Sequence, residues 1–171
     1  MLKSPSEWLV YCLSQISYKK NSHALDLACG YGRNSIYLED RGYIVISIDI
    51  SKKALDHFSG KNIRKFCKNI EDMNSWPVHE KKFEIVLVTN FLNREIFSYI
   101  LKSVKKGGYI IYETFSEGNE KYGKPKNKNF ILKSKELLKL TEEFKLLCYE
   151  NVKVEFNNSG FVKQKILAKN V

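Results

Sequence analysis

Short apolar runs alternate along this chain with stretches in which apolar residues recur every three or four positions. That rhythm predicts strands alternating with helices around a mostly parallel sheet. Glu7 to about Ser17 places Leu9, Cys12, Leu13 and Ile16 on one helical face, behind Ser4-Pro5-Ser6 as a start signal. Ala24-Leu25-Asp26-Leu27 predicts a short buried strand, and Arg33 to Arg41 a helix with Ile36 and Leu38 inward, stopped by Gly42. The β-branched run from Tyr43 to Ile48 predicts a second strand, after which Ser51 caps a helix through Phe58. Ile63 to Cys67 and Phe83 to Val88 predict strands three and four. Arg94 to Val104 predicts a helix ended by Lys105-Lys106-Gly107-Gly108, and Tyr109 to Tyr112 the fifth strand.

Beyond that point the rhythm breaks. Thr114 to Lys133 contains Gly118, Gly123 and Pro125 and shows little periodicity, as expected of a functional lid or an insertion. A short helix at Lys135 to Leu140 follows, and then Phe144 to Tyr149 and Phe161 to Ala168, two apolar segments expected to pair antiparallel at the sheet edge. The predicted fold class is α/β: a doubly wound, mostly parallel sheet with an antiparallel edge strand.

Length sets the number of domains. The 171 residues suit one domain spanning 1–171, and 43% apolar with 28% charged residues is a globular balance. No apolar run approaches the ~20 residues of a bilayer crossing. The opening Met1-Leu2-Lys3-Ser4-Pro5 has no apolar signal core, so a cytoplasmic location is expected. Cys12, Cys29, Cys67 and Cys148 form no Cys-x-x-Cys pair and have no partnering histidines, which argues against a disulfide framework or a metal site and for reduced, mostly packed thiols. The net charge of +10 is uneven. Residues 1–92 carry 13 basic and 10 acidic side chains, and residues 93–171 carry 16 and 9. Six lysines fall between Lys121 and Lys135 with no acid among them, which suits either an anionic partner or a solvated surface.

The chemistry concentrates where the first strand meets the second helix, in Asp26-Leu27-Ala28-Cys29-Gly30-Tyr31-Gly32-Arg33-Asn34-Ser35. Sheets of this kind bind ligands at that turn. Gly30 and Gly32 remove Cβ atoms so that a ligand can lie against the backbone. A dinucleotide fingerprint wants a third glycine where Ser35 stands, and Asp26 would repel a diphosphate while suiting an ammonium group. Asp49 ends the second strand, where an acid can accept from both ribose hydroxyls. An aminated, phosphate-free nucleoside fits these residues. S-adenosylmethionine matches that description better than NAD.

The run Leu25 to Asn34 resembles motif I of class I S-adenosylmethionine-dependent methyltransferases, in the Asp-x-Ala-Cys-Gly-x-Gly form of small tellurite-resistance-like members. The likeness continues through Pro5-Ser6-Glu7-Trp8, Asp49-Ile50-Ser51, Asn93-Arg94, Gly107-Gly108-Tyr109, Tyr112-Glu113-Thr114-Phe115 and Gly118-Asn119-Glu120. It implies a Rossmann-like methyltransferase fold, with S-adenosylmethionine as methyl donor and S-adenosylhomocysteine as product. By the same resemblance Asp26 faces the methionine amino group, and Ala28, Gly30 and Gly32 line the methionyl chain, with Tyr31 and Asn34 counted beside them. Asp49 holds the ribose, Ile50 lies on the adenine face, and Asn69-Ile70-Glu71 reads the adenine edge. Asn69 stands where relatives often have Asp, and Ala28 where many have Gly. Asn90 and Phe91 flank the methyl donor and the acceptor.

The sulfonium methyl is already activated, so catalysis is mainly alignment and exclusion of water. The tip of strand four, Thr89-Asn90-Phe91-Leu92, lacks an Asn-Pro-Pro-Tyr type motif, and no Pro-Cys pair exists for a cysteine-nucleophile mechanism. The expected acceptor is therefore a small molecule: a thiol, a chalcogen oxyanion or an anionic metabolite. Its pocket is expected between the first helix, with Trp8 and Tyr11, the strand-four tip and the 114–133 lid. Arg94, Glu113 and Tyr122 are the catalytic candidates and Asn119 a substrate contact; His23, His57 and His79 lie away from that face. An RNA acceptor using the basic C-terminal half, a non-catalytic S-adenosylmethionine-binding domain and a NAD-dependent oxidoreductase are the alternatives. No membrane partner is expected, and the assembly is a monomer or homodimer.

Overall fold

The structure is a computed structural model that describes residues 4–17, 19–72, 76–78, 82–157 and 159–171. His79, named above, lies outside the described residues. Seven strands form one sheet: β1 His23–Leu27, β2 Ile44–Asp49, β3 Ile63–Cys67, β4 Phe83–Thr89, β5 Val104–Phe115, β6 Lys145–Phe156 and β7 Ser159–Lys169. Their order is β3-β2-β1-β4-β5-β7-β6, with β3, β2, β1, β4 and β5 parallel. The expected antiparallel pairing at the edge is present. β7 runs antiparallel to both β5 and β6, so the reversed strand is the inner one of the pair and β6 is the edge.

Among the described residues the α-helices are α1 Glu7–Gln15, which precedes β1, and α2 Arg33–Asp40, α3 Lys52–Leu55, α4 Phe97–Lys102 and α5 Glu136–Leu140, which lie between strands. Ser6 caps α1 by accepting from the Leu9 N–H, and Ser51 caps α3 by accepting from the Ala54 N–H.

Alternation along β4 explains the two layers of core. Val86 and Val88 pack on one face with Leu25, Leu27, Ile96, Ile100 and Tyr112, while Ile85 and Leu87 pack on the other with Trp8, Leu9, Leu38 and Tyr43. A strand covered on both faces needs apolar residues at nearly every position, which is why Ile85 to Val88 is an unbroken run; Glu84, near the start of the strand, pairs with Lys105.

Several elements depart from the sequence expectation: α3 ends at Leu55 and not at Phe58, and β6 runs on past Tyr149 to Phe156, held by its pairing with β7. α4 covers only Phe97–Lys102 because Asn93 Oδ1 accepts from the Glu95 N–H and holds the residues before the helix in a turn. β5 begins at Val104, and its register against β4 shifts between Phe83 and Ile85, so the Lys-Lys-Gly-Gly stretch lies inside the strand. The 114–133 segment is a folded strap. Short 3-10 turns form at Asn119–Lys121 and Lys128–Phe130, Leu132 is fully buried, and Ser116 bridges to Leu132.

Candidate functional site

The carboxyl ends of β1, β2 and β4 converge on the bend at Gly30. The bend is built from left-handed backbone at Ala28 (φ 53), Gly30 (φ 54) and Gly32 (φ 75). Its two glycines are glycine for different reasons. A Cβ on Gly30 would project into open space, so the surface there is left clear for a ligand. A Cβ on Gly32 would stand 2.3 Å from the Phe58 ring, so that residue is dictated by the molecule's own packing.

Asp49 fixes the bend to the end of β2. Its Oδ2 accepts from the Gly30 N–H at 2.7 Å and its Oδ1 from the Ser51 N–H at 2.8 Å. Each oxygen keeps a lone pair for a further donor.

Asp26 is fully buried beneath α2. Its Oδ2 accepts from Ser35 Oγ at 2.6 Å, and Ser35 Oγ in turn accepts from Ser47 at 2.8 Å. Its Oδ1 has no hydrogen-bond partner among the described residues. Burial raises this carboxyl from 3.8 to about 7, with the Ser35 hydrogen bond and the Arg33 charge opposing.

Beside the bend lies a cavity of about 130 Å³ walled by Ala28, Asp49, Ile50, Asn69, Ile70, Glu71 and Phe91 together with Lys68. The first seven are residues named from the sequence; Lys68 was not, because a lysine ending an exposed strand carries no distinguishing signal. Ile50 is exposed over the mouth and Ile70 forms a buried wall. Asn69 Oδ1 accepts from the Glu71 N–H at 3.0 Å, and Glu71 Oε1 accepts from Asn93 Nδ2 at 3.1 Å, so this segment is tied to the residues after β4. Tyr31 is exposed on the outer side of the bend, with its ring 5.1 Å from that of His57. Asn90 takes a left-handed conformation (φ 56) and donates its N–H to Glu113 O at 2.8 Å.

Other named residues are engaged in holding the fold. Asn34 accepts from the Ser6 N–H at 2.9 Å and donates to Thr89 Oγ1 at 3.2 Å, bracing the start of α1 against the β4 tip. The Arg94 guanidinium donates to both oxygens of Glu136 (2.6 and 2.8 Å), to Asn129 O and to Ile131 O. Arg94 therefore clamps the strap to α5, a correction to its candidacy as a catalytic group, since those donors are already committed. Asn119 is buried, accepting from the Val162 N–H and donating to Lys124 O, so it staples the strap to β7 and has no free substrate contact to offer. Tyr122 is half-buried against the β6–β7 hairpin, with Lys153 Nζ 5.9 Å from its ring. The Trp8 indole N–H donates to Ile166 O from within the core, and Tyr11 stacks on it half-exposed, 5.3 Å between ring centres.

Glu113 is the catalytic candidate held nearest the β4 tip by contacts with its neighbours. It pairs with Thr89 across the sheet, is 5% exposed, and accepts from Ser6 Oγ at 2.5 Å. Of the four thiols, Cys12 and Cys29 are buried and held well above the usual thiol range by desolvation, whereas Cys67 is exposed.

Comparison with known proteins places this geometry. A curated relative from Haemophilus influenzae (strain ATCC 51907 / DSM 11121 / KW20 / Rd), named "Probable S-adenosyl-L-methionine-dependent methyltransferase TehB", is 37% identical over 94 residues; the match takes in 50% of this chain and 33% of the relative. The chain thus aligns with about a third of the length of the curated relatives it matches. The crystal structure of TehB from Haemophilus influenzae superposes with a TM-score of 0.76 at 24% identity, covering 95% of this chain and 61% of that one. Geranyl diphosphate C-methyltransferase from Streptomyces coelicolor A3(2), crystallised with Mg2+, geranyl diphosphate and S-adenosyl-L-homocysteine, shares the fold with a TM-score of 0.73 at 15% identity, covering 97% of this chain and 77% of that one. The chain shares the overall fold of these methyltransferase structures. The family model of tellurite resistance protein TehB matches residues 11–163, and the chain belongs to that family.

Proposed function

We propose that this chain is a methyltransferase that moves the methyl group of S-adenosylmethionine to a small-molecule acceptor, working as one domain over 1–171 in the cytoplasm as a monomer or homodimer. The observation that carries the reading is the cavity whose walls join the end of β2, the Asn69–Glu71 segment and Phe91 next to an open glycine bend.

The residues present fit that donor. Asp26 Oδ1 is a buried acceptor lacking a donor, and an ammonium supplies one. The free lone pairs of Asp49 suit two ribose hydroxyls, and Ile50 with Ile70 offers an apolar slot for a base. The open side of Gly30 leaves room for the methionyl chain. Once bound, the donor supplies an activated methyl on a sulfonium. The chain's own part is to orient and to exclude water. Asn90 and Phe91 form the floor between donor and acceptor, and the strap, clamped by Arg94, closes one side. Glu113 is the carboxylate available to orient the acceptor or take a proton from it.

A second reading has an observation of its own. Lys121, Lys124, Lys126, Lys128, Lys133 and Lys135 are all exposed, none forms an ion pair among the described residues, and Phe130 stands exposed among them. That combination suits RNA as the acceptor, and methylation of a short RNA whose binding weakens steeply with salt would favour it.

Calorimetry with S-adenosylmethionine and S-adenosylhomocysteine tests the principal reading. Wild type is expected to bind both, and Asp49→Ala to lose about 1–3 kcal/mol, the cost of stranding hydrogen-bonding groups. Equal affinity in the two proteins would remove Asp49 from the site, and no binding to wild type would remove the proposal.

A further inference from the structure

Of the three lysines of β7, Lys163 and Lys165 are set by their register beside the end of β5. Lys165 lies opposite Glu113, and Lys163 opposite Phe115. Lys165 is accounted for: it faces Glu150 at 3.5 Å and lies over the Trp8 ring.

Lys163 is not. Its side chain is only 14% exposed and lies 5.0 Å from the centre of the Phe115 ring and 5.5 Å from that of Phe161. Its ion-pair partner is Glu113 Oε2 at 3.7 Å, a long contact. The other oxygen of Glu113 is taken by Ser6 Oγ. Burial lowers the lysine's affinity for its proton, and the charges of Arg33 and Lys165 lower it further, with Glu113 alone opposing them. A cation this enclosed ordinarily has hydrogen-bonded partners, because burying an unsatisfied ammonium is costly. Here Lys163 has one carboxylate within ion-pair distance, and that carboxylate is shared with Ser6.

The place matters as much as the deficit. Glu113 O holds the Asn90 N–H, and Phe91, the next residue, walls the cavity beside the bend. Lys163 therefore stands around the end of β5 from the position proposed for methyl transfer.

We propose that Lys163 anchors an anionic oxygen group of the acceptor, a carboxylate or another oxyanion, with Phe115 and Phe161 as its apolar side walls and Glu113 as the group that keeps the lysine in place. The anion supplies the acceptors that the protein withholds. This rests on the methyltransferase reading, and it deepens that reading by assigning the acceptor's charge and the residue that selects it.

The test uses the whole chain with side-chain nitrogens of lysine labelled for NMR, loaded with S-adenosylhomocysteine at about pH 6.5. Acetate is titrated against chloride at matched ionic strength, and the Lys163 signal is assigned by its loss in Lys163→Met. Acetate is expected to shift that signal saturably and chloride not to. Lys163→Met, which removes a buried charge without enlarging the side chain, is expected to keep its S-adenosylhomocysteine affinity and to weaken acetate binding at least tenfold. Glu113→Gln, freed of the competing carboxylate, is expected to bind acetate several-fold more tightly. A shift equal for acetate and chloride, or acetate binding that survives in Lys163→Met or weakens in Glu113→Gln, overturns the anchor. Failure of wild type to bind S-adenosylhomocysteine strikes the methyltransferase reading instead, so the two failures are distinguishable.

Discussion

At the scale of single residues, the ammonium contact proposed for Asp26 would couple folding to ligand binding. With its carboxyl raised from 3.8 to about 7, the folded chain holds a proton there that the unfolded chain has lost above pH 4. The contribution of this group to stability therefore falls as pH rises from about 4 to 7, by up to about 1.4 kcal/mol per pH unit. An ammonium seated against Oδ1 favours the ionised form. Affinity for S-adenosylhomocysteine is accordingly expected to climb between pH 5.5 and 7.5, approaching tenfold per unit, with proton release visible in buffers of different ionisation heat. Asp26→Asn should bind with no such slope. A flat profile in wild type would mean that Asp26 does not meet the amino group. The positions legible in the sequence were the local ones: Asp26, Gly30 and Asp49 were named from their places around the first two strand ends, and Gly30 and Asp49 meet through a hydrogen bond. The roles of Asn34, Arg94 and Asn119 were not legible, since their partners lie on distant segments (Ser6 and Thr89, Glu136, and Val162), and polar side chains look alike until the fold supplies a partner.

At the scale of elements, the doubly covered strands β1, β2 and β4 were readable because burial on both faces demands mostly apolar residues, with only a few polar interruptions such as Asp26, Ser47 and Glu84. β6 was readable only in its first part. From Glu150 to Phe156 it alternates charged and apolar residues at an exposed edge, and it is a strand because β7 pairs with it residue by residue, a long-range fact. The strap was recognised as an irregular segment but not as a fastened one. Its fastening is the Arg94–Glu136 pair, partly buried, in which the arginine also serves two strap carbonyls. Arg94→Ala strands those acceptors and is expected to cost about 1–3 kcal/mol of stability and to expose 117–133 to limited proteolysis. Affinity for S-adenosylhomocysteine should hardly change. A variant whose strap resists protease as wild type does would show that the clamp is dispensable.

At the scale of the whole molecule, charge is the dominant surface property. A net +10 spread over 171 residues, with the excess in the second half, repels itself in the compact state. The enclosed Arg94–Glu136 pair is screened less than exposed charges are. Raising sodium chloride from ~20 to ~300 mM is thus expected to raise the unfolding temperature by a few degrees, read by differential scanning calorimetry. A fall over that range would mean that attractive surface pairs outweigh the repulsion.

The ring of Phe58 beneath Gly32 has one more consequence. Because the bend rests on a side chain of α3's flank and is bonded to Asp49 before any nucleoside arrives, its shape is set in advance. Little backbone freedom is left to surrender on association, so more of the contact energy survives as affinity, and selectivity among nucleosides comes from a rigid mould.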